Sequence, residues 1–238
     1  IIHLYSGYAT QSSSYKGNKK LSEMGGDARD AMMDFIKTST HKIFIIEDYM
    51  DMEHATWLKG LGDRASFVSD IRSNVRGGRN PSDYDIIWNT AMMYNWITEL
   101  RPVKSMLKTR MPYDGDKDKT ISHPEDFALA KANGIDFAYD YMNGRRFRMC
   151  KGVLYLQAWP GQASGEFRLH IDRDDLGTIM EYDAFSLEDT MYYYNSISRQ
   201  WVWHENPNAD RALGFCHCND CALENKILTD AGVDVKKA

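Results

Sequence analysis

A carboxylate, an amine and a second carboxylate stand at or near the ends of runs that read as β-strands: Asp70, Lys108 and Glu166. In open α/β sheets ligands gather at the carboxyl ends of the strands, so three such groups on adjacent strands can form an acid–base site. Spacing alone also suits a surface salt-bridge set, and strand-end charges are common. Asp70 opens a basic stretch, Asp70-Ile-Arg-Ser-Asn-Val-Arg-Gly-Gly-Arg79, in which Arg72, Arg76 and Arg79 can hold phosphates or simply line a solvated loop. Gly77-Gly78 lacks the spacing of a phosphate-binding loop and reads as a turn. Tyr113 and Tyr192-Tyr-Tyr194 can stack on bases, although aromatics at helical spacing are more often core. Cys216-x-Cys218-x-x-Cys221, with His217 inside it, has short metal-ligand spacing. A single dense knot of this kind is more often a set of reduced thiols, so no metal is expected, with zinc on these three cysteines as the minor alternative.

The elements that must position these groups alternate. Strand-like runs at Ile1–Tyr5, Lys42–Ile46, Ser66–Ser69 and Val103–Leu107 are separated by amphipathic stretches at Ala28–Ile36 and His54–Leu61. This alternation predicts an α/β fold with a mostly parallel central sheet flanked by helices. The clearest helix follows the basic stretch. Ser82 is spaced to cap it, with Asp85 three residues on, and Tyr84, Ile87, Trp88, Ala91 and Met92 make a core-facing stripe. Further on, Pro124–Tyr141 reads as one helix, Met149–Trp159, Glu166–Ile171 and Thr178–Tyr182 as strands, and Ser186–Ile197 as a helix capped by Ser186.

Composition limits the function classes. With 43% hydrophobic and 26% charged residues the chain suits a globular domain, not a disordered or fibrous one. No run approaches the ~18 apolar residues of a membrane span, so no membrane is expected as a partner. A formal net charge of −5 argues against indiscriminate coating of nucleic acid, yet leaves room for a local basic patch. Four cysteines, three of them packed together, do not form a secreted disulfide framework and point to a reducing, cytoplasmic setting. The length suits one main domain, expected over residues 1–200, with a Cys-rich, helical C-terminal extension over 201–238 packed on it.

The residues themselves carry a more specific signal. Val-Ser-Asp-Ile-Arg-Ser at Val68–Ser73, then Arg-Gly-Gly, Asn-Pro-Ser and Arg-Pro-Val-Lys-Ser-Met-Leu-Lys-Thr-Arg-Met-Pro-Tyr-Asp at Arg101–Asp114, form one block. Ala163-Ser-Gly-Glu-Phe-Arg-Leu169 and Glu188-Asp-Thr-Met-Tyr-Tyr-Tyr-Asn195 form two later ones. Together they resemble the poxvirus cap-specific mRNA 2′-O-methyltransferases, whose members also serve as the small regulatory subunit of the viral poly(A) polymerase. The similarity covers most of the span from Lys42 to Arg199 and is weaker around Gly7–His41 and Gly115–Lys151.

The resemblance implies a Rossmann-like, S-adenosylmethionine-dependent methyltransferase fold. It also implies transfer of a methyl group to the ribose 2′-hydroxyl of the first transcribed nucleotide of capped mRNA. The alternative is a non-catalytic capped-RNA-binding or poly(A) polymerase processivity subunit. By motif match Asp70, Lys108 and Glu166 are three members of the family's Lys-Asp-Lys-Glu set, with Lys108 as general base. A free lysine, with a pKa near ~10.4, is a poor base at neutral pH until its surroundings tune it. Tyr49, Met50, Asp70 and Ile71 fall at cofactor-binding positions, Tyr113, Asp114 and Glu188 at cap-binding positions, and Arg72, Ser73 and Arg168 at RNA-binding positions. Implied partners are capped mRNA and a viral poly(A) polymerase or capping-enzyme subunit, in host cytoplasm or virion.

Three departures are visible. The family's first lysine and glycine-rich cofactor loop precede the strand matched by Ile1–Tyr5, so the chain is expected to be part of a larger enzyme or to have lost cofactor binding. Tyr5-Ser6 stands where a ribose-binding carboxylate is usual, and an aromatic expected near Ala163 is missing, with Trp159 as a substitute.

Overall fold

Strands and helices alternate along the computed structural model, which describes residues 2–4, 24–40, 44–46, 49–76, 80–112, 117–143, 146–156, 164–199 and 226–233. The first half runs β1 (Ile2–Leu4), α1 (Gly26–Thr38), β2 (Phe44–Ile46), α2 (Met52–Leu58), β3 (Ser66–Ser69), α3 (Asp83–Leu100) and β4 (Lys104–Arg110). The second half runs α4 (Pro124–Ala132), α5 (Phe137–Asn143), β5 (Arg146–Cys150), β6 (Val153–Leu156), β7 (Glu166–Asp172), β8 (Ile179–Asp183) and α6 (Ala184–Tyr193). A 3₁₀ turn, Lys59–Arg64, extends α2, and a π-helical turn, Tyr194–Ser198, extends α6. No helix among the described residues is long and apolar enough to cross a membrane. The expected boundary at residue 200 lies outside the described residues.

The central sheet has the order β3-β4-β7-β6, and the described residues also form two separate two-stranded pairs, the parallel β1-β2 and the antiparallel β5-β8. β3 and β4 are parallel, while β7 is antiparallel to both of its neighbours, β4 and β6. β6 therefore points the same way as β3 and β4, and β7 alone runs against them. The expectation of a mostly parallel sheet holds at the β3–β4 edge, and the whole is a mixed α/β arrangement. The connections explain the difference. A full helix, α3, returns the chain from β3 to β4, as a parallel crossover requires, whereas nine residues link β6 to β7, enough only for a reversal.

Helix α3 is the centre of the core. Ser82 caps it as the spacing predicts: Asp85 N–H donates to Ser82 Oγ at 3.1 Å, and Ser82 N–H donates to Asp85 Oδ2 at 3.0 Å. Burial extends well beyond the expected stripe. Ile86, Met93, Trp96 and Ile97 are buried along with Tyr84, Ile87 and Ala91, so the helix is enclosed on nearly every side. Two of its polar side chains bond to neighbouring segments. Tyr94 Oη donates to Asn133 O at 2.6 Å, and Trp88 Nε1 donates to Asp126 Oδ2 at 2.7 Å, which ties α4 to α3.

Three sequence expectations change. The single helix over Pro124–Tyr141 is two, because Gly134 at φ +107° turns the chain after α4. The single strand over Met149–Trp159 is β5 and β6, broken at Lys151-Gly152. The cap of α6 is Asp183, which accepts from Ser186 N at 2.9 Å, so Ser186 lies inside the first turn.

Gly152 has a further role in placing β6. A β-carbon at that position would clash with the backbone oxygen of His170 on β7. Gly152→Ala is therefore expected to cost about 1–3 kcal/mol through forced displacement of β6 from β7. Thermal denaturation measures this, and a variant melting with the parent would contradict it.

Candidate functional site

The alternation of β4 decides which of its side chains can reach a ligand. Ser105, Leu107 and Thr109 point into the core and are buried, which leaves Met106, Lys108 and Arg110 on the other face. Register then places Arg168 of β7 directly opposite Lys108, and Glu166 opposite Arg110. Asp70 follows the last residue of β3, beside Leu107 of β4 in the ladder. The three groups picked out in the sequence thus meet at one end of three adjacent strands.

Lys108 Nζ lies 3.3 Å from Asp70 Oδ1 and 3.6 Å from Glu166 Oε2. Arg168 bridges the same two carboxylates, at 2.9 Å to Glu166 Oε1 and 2.8 Å to Asp70 Oδ1. Arg72 closes the group at 3.0 Å to Glu166 Oε2. The Lys108 side chain is only 16% exposed, whereas that of Asp70 is 64% exposed, so the cluster opens to solvent on the Asp70 side. Two carboxylates against three cations leave it net positive, inside an acidic chain.

Burial would raise the Glu166 carboxyl, but the Arg168 hydrogen bond and the charges of Arg72 and Lys108 together hold it below the ordinary carboxylate range. Burial lowers the Arg72 guanidinium against the pull of Glu166, with Arg110 and Arg168 adding to the lowering. A depressed carboxyl contributes stability at pH values above its unfolded pKa of about 4.3, and that stability is lost as pH falls through the folded value. Acid unfolding is accordingly expected to shift in Glu166→Gln, whose stability falls less between pH 5 and pH 3 than the parent's. Parallel acid limbs in chemical denaturation would contradict this.

The loop carrying Arg72 is held from below by α3. Asn89, fully buried, accepts from Ser73 N–H at 2.8 Å and donates to Ser73 Oγ at 2.8 Å. Asp85, also fully buried, accepts from Val75 N–H at 2.8 Å while it completes the helix cap. Ser73 sits at an expected RNA-contacting position, and its hydroxyl also serves this latch. Sequence reading missed Asn89 and the second role of Asp85. The available signal was weak, because Asp83, Thr90 and Asn95 are also buried polar residues on the same helix.

Arg76 departs from the phosphate-holding alternative. Its guanidinium lies 4.2 Å above the Tyr84 ring and donates to the backbone oxygens of Asp118 and Thr120. It fastens the segment Lys117–His123 to α3, where the His123 ring also stacks on Trp88 at 3.8 Å. Gly77, Gly78 and Arg79 lie outside the described residues.

The remaining expected positions are more dispersed. Tyr49 is exposed and Met50 is buried in the main core just before α2, while Ile71 is half-buried beside Asp70. Glu188 is half-buried on α6, and Tyr192 and Tyr193 expose their rings farther along it. Tyr5, Ser6, Tyr113, Asp114, Trp159, Cys216, Cys218 and Cys221 lie outside the described residues. Among the described residues no group of three or more His, Cys, Asp or Glu side chains is arranged to hold a metal ion.

Comparison with known proteins adds the family. The family model described as "Poly A polymerase regulatory subunit" matches residues 24–219, which include every side chain of the Lys108 cluster. The chain belongs to the poly(A) polymerase regulatory subunit family.

Proposed function

We propose that this chain is an RNA-binding regulatory subunit that works with a poly(A) polymerase, and that the Lys108 cluster also transfers a methyl group to a ribose 2′-hydroxyl of capped mRNA. The family match supports the first part. The second rests on one observation: a largely buried lysine amine held between two carboxylates, with Arg168 bridging both of them and Arg72 on Glu166.

Each side chain has a task in this reading. Arg72 and Arg168 hold the phosphate next to the target ribose, since guanidinium groups pair with phosphate oxygens in a fixed fork geometry. Asp70, the most exposed member, orients the 2′-hydroxyl, and Glu166 fixes the position of Lys108. Lys108, in its neutral amine form after losing its own proton to solvent, takes the hydroxyl proton as the oxygen attacks. Most of the rate comes from holding the hydroxyl in line, and proton removal adds a further factor.

S-adenosylmethionine suits residues of two segments: the exposed Asp70 carboxylate with half-buried Ile71 next to it would face the sulfonium, and the exposed Tyr49 ring before α2 would stack on the adenine. When bound it supplies an activated methyl group. Asp70, Ile71, Tyr49 and Met50 are the residues proposed to hold it, in a Rossmann-like methyltransferase domain that the strand–helix–strand unit β3-α3-β4 supports. Glu188, with Tyr113 and Asp114, is proposed to hold the methylated guanine of the cap.

The family description itself favours a second reading, in which the cluster binds RNA without chemistry. Calorimetry separates the two. A methyltransferase binds both S-adenosylmethionine and capped RNA, whereas a purely regulatory subunit binds RNA and extends polymerase products with no heat from the cofactor. Absence of RNA binding altogether would remove both.

A further inference from the structure

Two parts of the proposed site stand on different pieces of the fold. Glu166, which fixes Lys108, opens β7 of the central sheet, whereas Glu188 lies on α6, which continues directly from β8 of the separate β5-β8 pair. A reaction that uses both carboxylates needs them held at one separation. Ala184, Met191 and Asn195 are buried along α6 and its π-helical extension, and half-buried Glu188 falls on the same face at helical spacing. Ala184 and Met191 pack into the apolar core, but such contacts are non-directional and do not by themselves fix where the helix sits along its axis.

Asn195 supplies a directed bond. Its side chain is 2% exposed, and Nδ2 donates to Ser164 O at 2.7 Å, across 31 residues of sequence. Ser164 Oγ in turn accepts from Glu166 N–H at 3.3 Å. On the other side of the amide, Arg199 Nη1 donates to Asn195 Oδ1 at 3.5 Å. A guanidinium only donates and a backbone carbonyl only accepts, so these two partners fix which way the amide faces. Asn195 lies in the π-helical turn Tyr194–Ser198, and such turns recur at functional sites. A continuous line of bonds therefore runs from the end of α6 through Ser164 to the first residue of β7. Resting on the cap-methyltransferase reading above, we infer that Asn195 is a positioning residue that sets the separation of Glu188 from Glu166, so that a guanine held on α6 places the first transcribed ribose at Lys108. Misplacing a bound group by about 1 Å costs about a hundredfold in rate, which makes one buried bond between the two pieces consequential.

Methyl transfer by the full chain to capped and uncapped RNAs of one sequence, with calorimetry of a methylated cap dinucleotide, tests this. Asn195→Asp keeps the size of the side chain and its Arg199 partner but, at neutral pH, has no N–H for Ser164 O. Asn195→Ala removes both contacts. Each variant is expected to lower the capped-to-uncapped ratio of kcat/KM about tenfold, with cap dinucleotide affinity within about twofold of the parent's. Partial unfolding scales both rates alike and leaves their ratio unchanged, so the ratio reports on Asn195 even where a variant is destabilised. A parental ratio in either variant overturns the inference while the methyltransferase reading stands. A cap affinity that falls as far as the ratio makes Asn195 a support of the guanine site alone and overturns it too. If the parent transfers no methyl group, or transfers equally to both RNAs, the underlying reading fails and the inference with it.

Discussion

Replacing Lys108 by alanine is expected to lower 2′-O-methyl transfer to capped RNA by roughly 10²–10⁴-fold, the usual weight of a positioned proton acceptor. The amine is held 3.3 Å from Asp70 and 3.6 Å from Glu166, so few other groups can take its place without moving both carboxylates. Lys108→Arg separates charge from chemistry. A guanidinium keeps the positive charge beside the two acids, yet it does not give up its proton in proteins. Lys108→Arg should therefore retain most RNA affinity and lose transfer as fully as the alanine variant. Transfer by Lys108→Arg at parental rates would remove the general-base role, whatever the binding data say.

The second large effect is structural and falls on a residue that touches no ligand in this account. Asp85 is fully buried, and its carboxylate accepts from Val75 N–H at 2.8 Å, Ser82 N–H at 3.0 Å and Ser82 Oγ at 2.7 Å. Asp85→Ala leaves two backbone donors without that acceptor and removes half of the α3 capping box. Hydrogen bonds to a charged group are worth about 1.5–3 kcal/mol each, and a cap about 1 kcal/mol, with strong overlap between them. An overall loss of roughly 3 kcal/mol is expected, seen as a fall in Tm of about 6–12 °C for a domain of this size. The same change frees the loop that carries Arg72, so RNA binding should weaken even well below the melting temperature. Asp85→Asn keeps an acceptor for Val75 and should recover part of both effects. A parent-like Tm for Asp85→Ala would show that the loop is held by Asn89 alone.

How far the sequence foretold this site depended on the range of each interaction. The Ser82–Asp85 cap was legible because both partners lie within one helical turn. Asp70, Lys108 and Glu166 were legible as members of matching motifs, and strand alternation then set them on one face. Strand direction was not legible. Apolar alternation in β7 is the same whether the strand runs with its neighbours or against them, so the antiparallel pairing that puts Arg168 opposite Lys108 had no local signal. Arg76 shows the same limit, since its partners on Asp118 and Thr120 lie more than forty residues away and are mainly backbone oxygens, which any sequence supplies. The break between α4 and α5 was different, because Asn133-Gly134 is a local turn signal that the helical pattern around it obscured.

The central claim is that the Lys108 cluster acts on the ribose of capped RNA. The most direct test incubates the full chain with capped RNA and S-adenosylmethionine labelled in its methyl group, then digests the RNA and maps the label. The account predicts label on the 2′-oxygen of the first transcribed nucleotide, present with the parent and absent with Lys108→Ala. Label on a base, or RNA bound with no label transferred, would contradict it and leave a subunit that holds RNA for the polymerase without altering it.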